Sequence, residues 1–258
     1  MVDFDAVAPQ FDAHRELPTG VAPMVRDALW RAMGVAPGGL VLEIGAGTGR
    51  IGGAFQAAGD AYVGVDLSRG MLDQFVARVE ASGGQAVPLA LCDGRALPFA
   101  TGTFEAVLLV HVVSGLRGWR QVLGEAQRVL RPGGGLVLGQ TVPPADGVDR
   151  RMRDQLTTIL SDLGTTAAPA GARVAEAVAW LAPQARRHSH LIAAIWEQGR
   201  TPREFLARHP SGARFAALPK EVRAVALARL EAWTSATLGA LDASFIERWA
   251  FELDVFIF

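Results

Sequence analysis

An α/β fold built on a doubly wound, mostly parallel sheet is the class this sequence predicts, on three observations. Short, continuous apolar runs rich in Val and Leu recur through the first half of the chain, helical patterns separate most of them, and glycine-bearing turns join the two. Continuous apolar runs, rather than in-out alternation, are what strands covered on both faces require. At 258 residues the chain suits one such domain with an elaboration, 1–258, and a 50% hydrophobic content with only 20% charged residues supplies a sizeable core and excludes disorder.

The elements follow in order. The segment 1–34 is mixed, with Pro18-Thr19-Gly20 as a break and Val21 to Met33 as an amphipathic helix. The region 35–142 carries the regular alternation. Leu40 to Ile44, Ala61 to Val65, Ala86 to Leu91, Ala106 to Val113 and Leu136 to Gly139 read as strands, and Ile51 to Ala58, Met71 to Ser82 and Trp119 to Leu130 as helices between them. The last helix is closed by Arg131-Pro132-Gly133-Gly134-Gly135, where proline cannot continue it and the glycines turn the chain back. In 143–247 the alternation loosens: helices near Val148 to Leu163 and Ala172 to Leu181 flank a break at Gly164 to Gly171. A strand at Arg186 to Glu197 and helices at Pro202 to Arg208 and Pro219 to Leu238 follow. In 248–258, Trp249, Phe251, Leu253, Val255 and Ile257 alternate with smaller or polar neighbours, the pattern of a final half-buried strand.

Twenty-five basic against 26 acidic side chains leave a net charge of -1, with no basic run, so nucleic acid is not an expected partner. All the basic residues but Lys220 are Arg, which with so much Ala reads as a composition bias. The single cysteine, Cys92, can neither pair within the chain nor build a Cys-based zinc site, and a reducing compartment is expected. The acidic start Met1-Val2-Asp3-Phe4-Asp5 lacks a basic leader, and no apolar run approaches the roughly 18 residues of a membrane span. A cytoplasmic protein without a membrane partner is the expectation.

In an open parallel sheet, ligands bind beyond the carboxyl ends of the strands where the strand order reverses. After the first strand stands Glu43-Ile44-Gly45-Ala46-Gly47-Thr48-Gly49-Arg50, a glycine-rich turn feeding a helix. In the register Gly47-x-Gly49-x-x-Gly52 it matches a dinucleotide fingerprint, but Gly47 lies three residues beyond Ile44, where such a site wants its first glycine directly after the strand. The other register, from Glu43 to Gly49, puts a carboxylate at the strand end, where a pyrophosphate would be repelled. That arrangement suits a ligand bearing an ammonium and a sulfonium, the charge pattern of S-adenosylmethionine.

Val41-Leu42-Glu43-Ile44-Gly45-Ala46-Gly47-Thr48-Gly49-Arg50 resembles the first motif of the class I S-adenosylmethionine-dependent methyltransferases, nearest to the type 11 small-molecule group. Val63-Gly64-Val65-Asp66-Leu67-Ser68, then Met71, is similar to the second-strand motif; there the resemblance implies that Asp66 takes the ribose hydroxyls and its neighbours flank the adenine. Cys92-Asp93-Gly94-Arg95-Ala96-Leu97-Pro98-Phe99 resembles the third, in which Asp93 would meet the adenine amino group and Gly94 the ring. Phe104-Glu105-Ala106-Val107-Leu108-Leu109-Val110-His111 resembles the fourth strand, whose end faces the methionine part of the cofactor and the substrate. Val129 to Gly135 resembles the turn before the fifth strand, and Phe11-Asp12 with Arg15 an N-terminal stretch that closes over the methionine end, although the family more often has Tyr there. The likeness covers about residues 4 to 141. It implies a Rossmann-like methyltransferase fold of about seven strands, the last antiparallel, with helical cap insertions. The cofactor would be S-adenosylmethionine, leaving as S-adenosylhomocysteine, bound by Phe11, Arg15, Glu43, Gly45, Ala46, Gly47, Gly49, Asp66, Leu67, Met71, Asp93, Gly94 and Val110. The methyl acceptor would be a small molecule, and the protein a monomer or homodimer. Beyond Thr141 the pattern departs from the family, and Pro143 to Gly171 and Gln198 to Ala243, with the N-terminal helix, are expected to cover the crevice and choose the acceptor.

Plainer readings stand beside these. The glycine loop alone fits a tight strand-to-helix turn, and Asp66 and Asp93 fit helix N-caps. His111, the histidine at a strand end inside the expected crevice, is the candidate general base, or else contacts the cofactor or shapes the pocket. His188 and His190 share a strand face, but no third ligand is suitably spaced, so no metal is expected. Trp180, Trp196 and Trp233 read as core packing more than as an acceptor pocket, and Arg150, Arg151 and Arg153 as a solvated helix face. The rival functions are a nicotinamide-dependent oxidoreductase, a non-catalytic S-adenosylmethionine-binding protein and a nucleic-acid or protein methyltransferase. The absence of an Asn-Pro-Pro-aromatic stretch at Val110-His111-Val112-Val113 argues against the amino-methylating nucleic-acid enzymes.

Overall fold

The computed structural model describes residues 17–116, 118–165, 172–208, 215 and 218–258. In chain order the elements are α1 (Val21–Met33), β1 (Val41–Ile44), α2 (Gly52–Ala57), β2 (Tyr62–Asp66), α3 (Arg69–Ala81), β3 (Leu89–Leu91), β4 (Phe104–Val110), α4 (Trp119–Val129), β5 (Leu130–Val142), α5 (Val148–Asp162), α6 (Ala172–Leu181), β6 (Arg187–Arg200), α7 (Pro202–Arg208), α8 (Lys220–Thr237) and β7 (Phe245–Ile257).

One seven-stranded sheet runs in the order β3-β2-β1-β4-β5-β7-β6. The first five strands are parallel, paired as Ile44 with Val65, Asp66 with Leu91, Glu43 with Leu108, and Val110 with Gly139. Strand β7 runs against them: Gly133 N–H donates to Phe258 O at 2.8 Å and Phe258 N–H to Gly134 O at 3.2 Å, so the end of β7 meets the start of β5. The order reverses between β1 and β4, which sets a ligand crevice at their carboxyl ends.

Of the described residues, one compact unit takes in those up to Thr141 together with Arg173–Ala194 and Phe251–Phe258; the other lies within Val142–Ala172 and Ile195–Ala250. The first is built on Leu42, Val65, Val107, Leu109, Leu136 and Leu138 of the strands, with α4 laying Trp119, Val122, Leu123, Ala126 and Val129 against them at helical spacing. Helix α6 belongs to this unit because Ala177 and Leu181 are wholly buried in the same core. The second has its own core of Val148, Met152, Leu156, Ile159 and Leu160 on α5, Phe205 on α7, and Ala226 and Leu230 on α8. Trp233 packs on this second core, and Trp180 stands edge-on to Trp119 at 5.9 Å in the first. No described helix is long and apolar enough to cross a membrane.

Among the boundaries that differ from the sequence expectation, three have a local reason. Strand β3 starts at Leu89 rather than Ala86, since Pro88 accepts from Gly64 N–H through its carbonyl but has no N–H to extend the ladder. Strand β4 stops at Val110 because His111 takes φ 58 and the chain enters a 3-10 turn at Val113–Gly115. Strand β5 opens at Leu130, directly after α4, because Leu130 pairs with Phe104 before the register slips to Ala106 with Gly135.

Candidate active site

The carboxyl ends of β1, β2, β3 and β4 bring Ile44, Asp66, Leu91 and Val110 to one edge of the sheet. The loop after β1 is tied to the neighbouring strand by its backbone. Gly45 and Ala46 N–H groups both donate to Val65 O, at 2.8 and 3.0 Å, and Gly47 N–H donates to Asp66 Oδ2 at 2.9 Å. The other oxygen of Asp66 accepts from Ser68 N–H at 2.9 Å, so one carboxylate joins the glycine loop to the turn after β2. The cap of α3 is Ser68, whose Oγ accepts from Met71 N–H at 3.1 Å; Asp66 caps no helix.

The three loop glycines do different work. A Cβ on Gly49 would lie 2.2 Å from the Phe75 ring, and one on Gly45 would lie 2.4 Å from Val112, so packing alone demands both. Gly47, at φ +55, meets nothing nearer than Gly45 O at 4.0 Å. Its missing side chain opens onto space beside Asp66, and only there does the loop leave room for a ligand to approach the backbone.

Glu43 was expected to face the ligand's ammonium, and the structure corrects this. The side chain is 2% exposed, its Oε2 accepts from Tyr62 O–H at 2.6 Å, and the Gly52 N–H also donates to it. Burial pushes the carboxyl up from 4.5 to about 7, opposed by those two donors and by the Arg50 charge. Glu43 thus braces the start of α2 against β2 from beneath the loop. Ala46, Met71 and Val110, also expected at the ligand, are 6, 3 and 7% exposed and contribute packing.

Two leucines do face outward. Leu67, next to Asp66, is 61% exposed, and Leu91, paired with Asp66 across the ladder, is 50% exposed. Leu91 escaped the sequence reading because an apolar residue inside an apolar run signals burial, and only its place at the strand terminus exposes it. Asp93, two residues on, is held by its neighbour: Arg95 donates to it from its backbone N–H at 2.9 Å and through Nη2 at 2.6 Å. This pairing keeps the Asp93 carboxyl below its usual range. Gly94 sits where a Cβ would come within 2.9 Å of Ile44.

At the end of β4, His111 is the one non-glycine residue with positive φ among the described residues. Its N–H donates to Gly139 O at 2.9 Å, Nε2 lies 3.1 Å from Thr141 Oγ1, and its ring stands edge-on to Phe251 at 5.8 Å. Left-handed backbone at a bulky residue costs on the order of 1 kcal/mol or more and persists where the surroundings fix it, often at functional sites. Thr141, two residues after the predicted fifth strand, carried no sequence signal for this contact. His188 and His190 both approach Asp254 Oδ1, at 2.9 and 3.3 Å, and no described group of three His, Cys, Asp or Glu side chains is arranged to hold a metal. Phe11 and Arg15 lie outside the described residues.

Comparison with known proteins follows this geometry. The methyltransferase domain family matches residues 41–134. The ubiquinone/menaquinone biosynthesis C-methyltransferase UbiE of Desulfotalea psychrophila is 36% identical over 152 residues, 56% of this chain and 59% of that protein, so the chain spans about three fifths of the length of that curated relative. Among solved structures, the YcgJ protein of Bacillus subtilis is similar with a TM-score of 0.58 at 17% identity, over 90% of this chain and 97% of that one. Haemonchus contortus phospholethanolamine N-methyltransferase 2, in complex with phosphomonomethylethanolamine and S-adenosylhomocysteine, is similar with a TM-score of 0.52 at 16% identity, over 97% of this chain and 57% of that one. At these identities the structures bear on the fold alone. Residues 41–134, which carry the strand order and the glycine loop bound to Asp66 described above, thus match the methyltransferase domain family.

Proposed function

We propose that the protein transfers a methyl group from S-adenosylmethionine to a small-molecule acceptor. The observation that carries this reading is the junction at Asp66, where a carboxylate at a strand end fastens a glycine loop that is open at Gly47. The fit to the cofactor is supported on both sides of that junction. Gly47 leaves the backbone approachable, and the exposed Leu67 and Leu91 offer apolar surface of the sort an adenine covers. When bound, the cofactor supplies a methyl group on a positively charged sulfur, open to in-line displacement.

The chain's own residues then have distinct tasks. Asp66 would hold the ribose hydroxyls, since a carboxylate is an acceptor for paired O–H donors. Asp93, fixed by Arg95, would meet the adenine amino group, with Leu67 and Leu91 against the ring. Gly47 would admit the methionine portion at the loop, which Gly45 and Gly49 allow to pack closely on Val112 and Phe75. His111, with its ring set by Thr141 and Phe251, is the proton acceptor for a hydroxyl or amine on the acceptor molecule. Because displacement at a sulfonium draws most of its rate from positioning and the exclusion of water, this proton transfer is an aid. The relative's role as a C-methyltransferase of ubiquinone/menaquinone biosynthesis supports a small organic acceptor.

Calorimetric titration with S-adenosylhomocysteine, repeated with NAD and with Asp66→Ala, tests this reading. Micromolar binding of S-adenosylhomocysteine that weakens at least tenfold in the variant is expected, since a hydrogen bond to a charged group contributes about 1.5–3 kcal/mol. Binding of NAD without S-adenosylhomocysteine would overturn it.

A further inference from the structure

Among the described residues, the buried side-chain nitrogens and oxygens that meet no hydrogen-bond partner are Trp196 Nε1, Gln198 Nε2, Arg200 Nε and Arg223 Nε. All four are donors, and all four lie in the unit that contains Ile195–Ala250. Three of them follow one another on β6 at every second residue, and the intervening Ile195, Glu197 and Gly199 are exposed, so Trp196, Gln198 and Arg200 share one face of the strand. Buried donors without acceptors are rare in native structures because each forfeits its bonds to water. A row of them on one strand is a surface lacking its acceptors.

The neighbouring charges indicate what kind of acceptor fits. The Arg200 guanidinium lies over the Trp249 ring at 4.9 Å, and the charges it feels are Arg208, Asp149, Glu204 and Glu247. These carboxylates are already engaged. Asp149 takes Arg208 Nη2 on both oxygens at 2.7 and 2.6 Å, Glu247 accepts from Val148 N–H and from Trp249 Nε1 at 2.9 Å, and Glu204 accepts from Thr201 N–H at 3.0 Å. Arg153 of α5, half-buried, feels the same Asp149 and Arg208 as well as Arg150 and Asp154. Burial pushes both Arg153 and Arg200 below their ordinary range. None of these carboxylates accepts from Trp196 Nε1, Gln198 Nε2 or Arg200 Nε.

We propose that the inward face of β6 binds a small molecule through an oxyanion, a carboxylate or phosphate group whose oxygens accept from Gln198 Nε2 and Arg200 Nε, with Trp196 further along the same face. The site lies within one unit and does not depend on the methyl-transfer reading.

The test is thermal melting and calorimetry of the full chain with sodium phosphate and with sodium benzoate, each against sodium chloride at equal ionic strength. At least one of the two raises the melting temperature saturably beyond chloride; phosphate alone assigns a phosphate ligand and benzoate alone a carboxylate. Arg200→Met weakens that binding about tenfold or more while leaving the ligand-free melting temperature unchanged or higher, because an unpartnered buried donor is gone. Gln198→Leu acts in the same direction and decides the matter if Arg200→Met does not fold. Stabilisation no greater than that by chloride, or anion binding undiminished in Gln198→Leu, would sink the proposal.

Discussion

Replacing Glu43 by Gln should raise stability increasingly with pH, and the size of the effect follows from where the carboxylate sits. Its side chain is 2% exposed and its carboxyl is raised from 4.5 to about 7, first by burial, with Tyr62, Arg50 and Gly52 pulling the other way. Between those two values the folded protein holds a proton that the unfolded chain has released, so stability falls as pH rises through the window. From 4.5 to about 7, at about 1.4 kcal/mol for each pH unit, the loss comes to about 3 kcal/mol when complete. Linkage puts it under about 1 kcal/mol at pH 5, at about 2 at pH 6 and at about 3 at pH 8. Glutamine keeps an acceptor for Tyr62 O–H and the Gly52 N–H but does not ionise, so the variant lacks this slope. Urea unfolding of both proteins at pH 5, 6, 7 and 8 isolates the effect, because every other titrating group is common to the two. The advantage of Glu43→Gln should grow by about 2 to 3 kcal/mol between pH 5 and pH 8, over a constant offset from the amide's own hydrogen bonds. A difference that stays flat across that range would refute the assignment of Glu43 as a buried brace with a raised pKa.

Other substitutions separate the remaining roles. Gly49→Ala should cost about 3 kcal/mol or more in denaturant unfolding, because its Cβ would enter the Phe75 ring, whereas Gly47→Ala should cost only about 1 kcal/mol from its left-handed backbone and instead weaken S-adenosylhomocysteine in calorimetry. His111→Ala should lower kcat by about 100-fold or more with little change in S-adenosylhomocysteine affinity; a drop of less than threefold removes the proton-acceptor role. Asp60→Ala should destabilise by about 3–5 kcal/mol, since it abandons Arg26, which donates to it at 2.5 and 2.9 Å, together with donors from Trp30 and Gly38. Unfolding of Asp60→Ala at the same midpoint as the parent would contradict that.

Apolar runs carried the fold into the sequence because a parallel strand covered on both faces has no polar side to show. They mark burial rather than conformation, and the misread boundaries lie where the two part. Val113 continues the run of β4 and is 3% exposed, yet it sits in a 3-10 turn because His111 has already left the strand. Ala86 and Val87 continue β3 on paper, but Pro88 has no N–H to give. Asp66 was legible for a related reason: a carboxylate closing an apolar strand has little to do in a core. Features made through space were not. The exposure of Leu91 depends on its ladder partner, the hold of Thr141 on His111 on two neighbouring strands, and the occupation of Asp93 on the rotamer of Arg95.

The same distinction governs how the first motif is to be read. Its acid and its glycines come as one string in the sequence, yet Glu43, Gly45 and Gly49 answer to Tyr62, Val112 and Phe75, while Gly47 and Asp66 answer to the space beyond the strand ends. A ligand-contact motif and a packing motif share these ten residues because the loop must be held rigid from beneath to leave one opening above. Loss of a bracing residue then lowers stability first and affinity through it, whereas loss at Gly47 lowers affinity at nearly constant stability and loss at Asp66 lowers affinity by more than its stability cost accounts for. Measuring unfolding and S-adenosylhomocysteine binding on Glu43→Ala, Gly45→Ala, Gly47→Ala, Gly49→Ala and Asp66→Ala should place them in two groups along that line. Affinity loss that tracked stability loss at all five positions would mean that Asp66 is one more brace, and the junction that carries the functional reading would be structural alone.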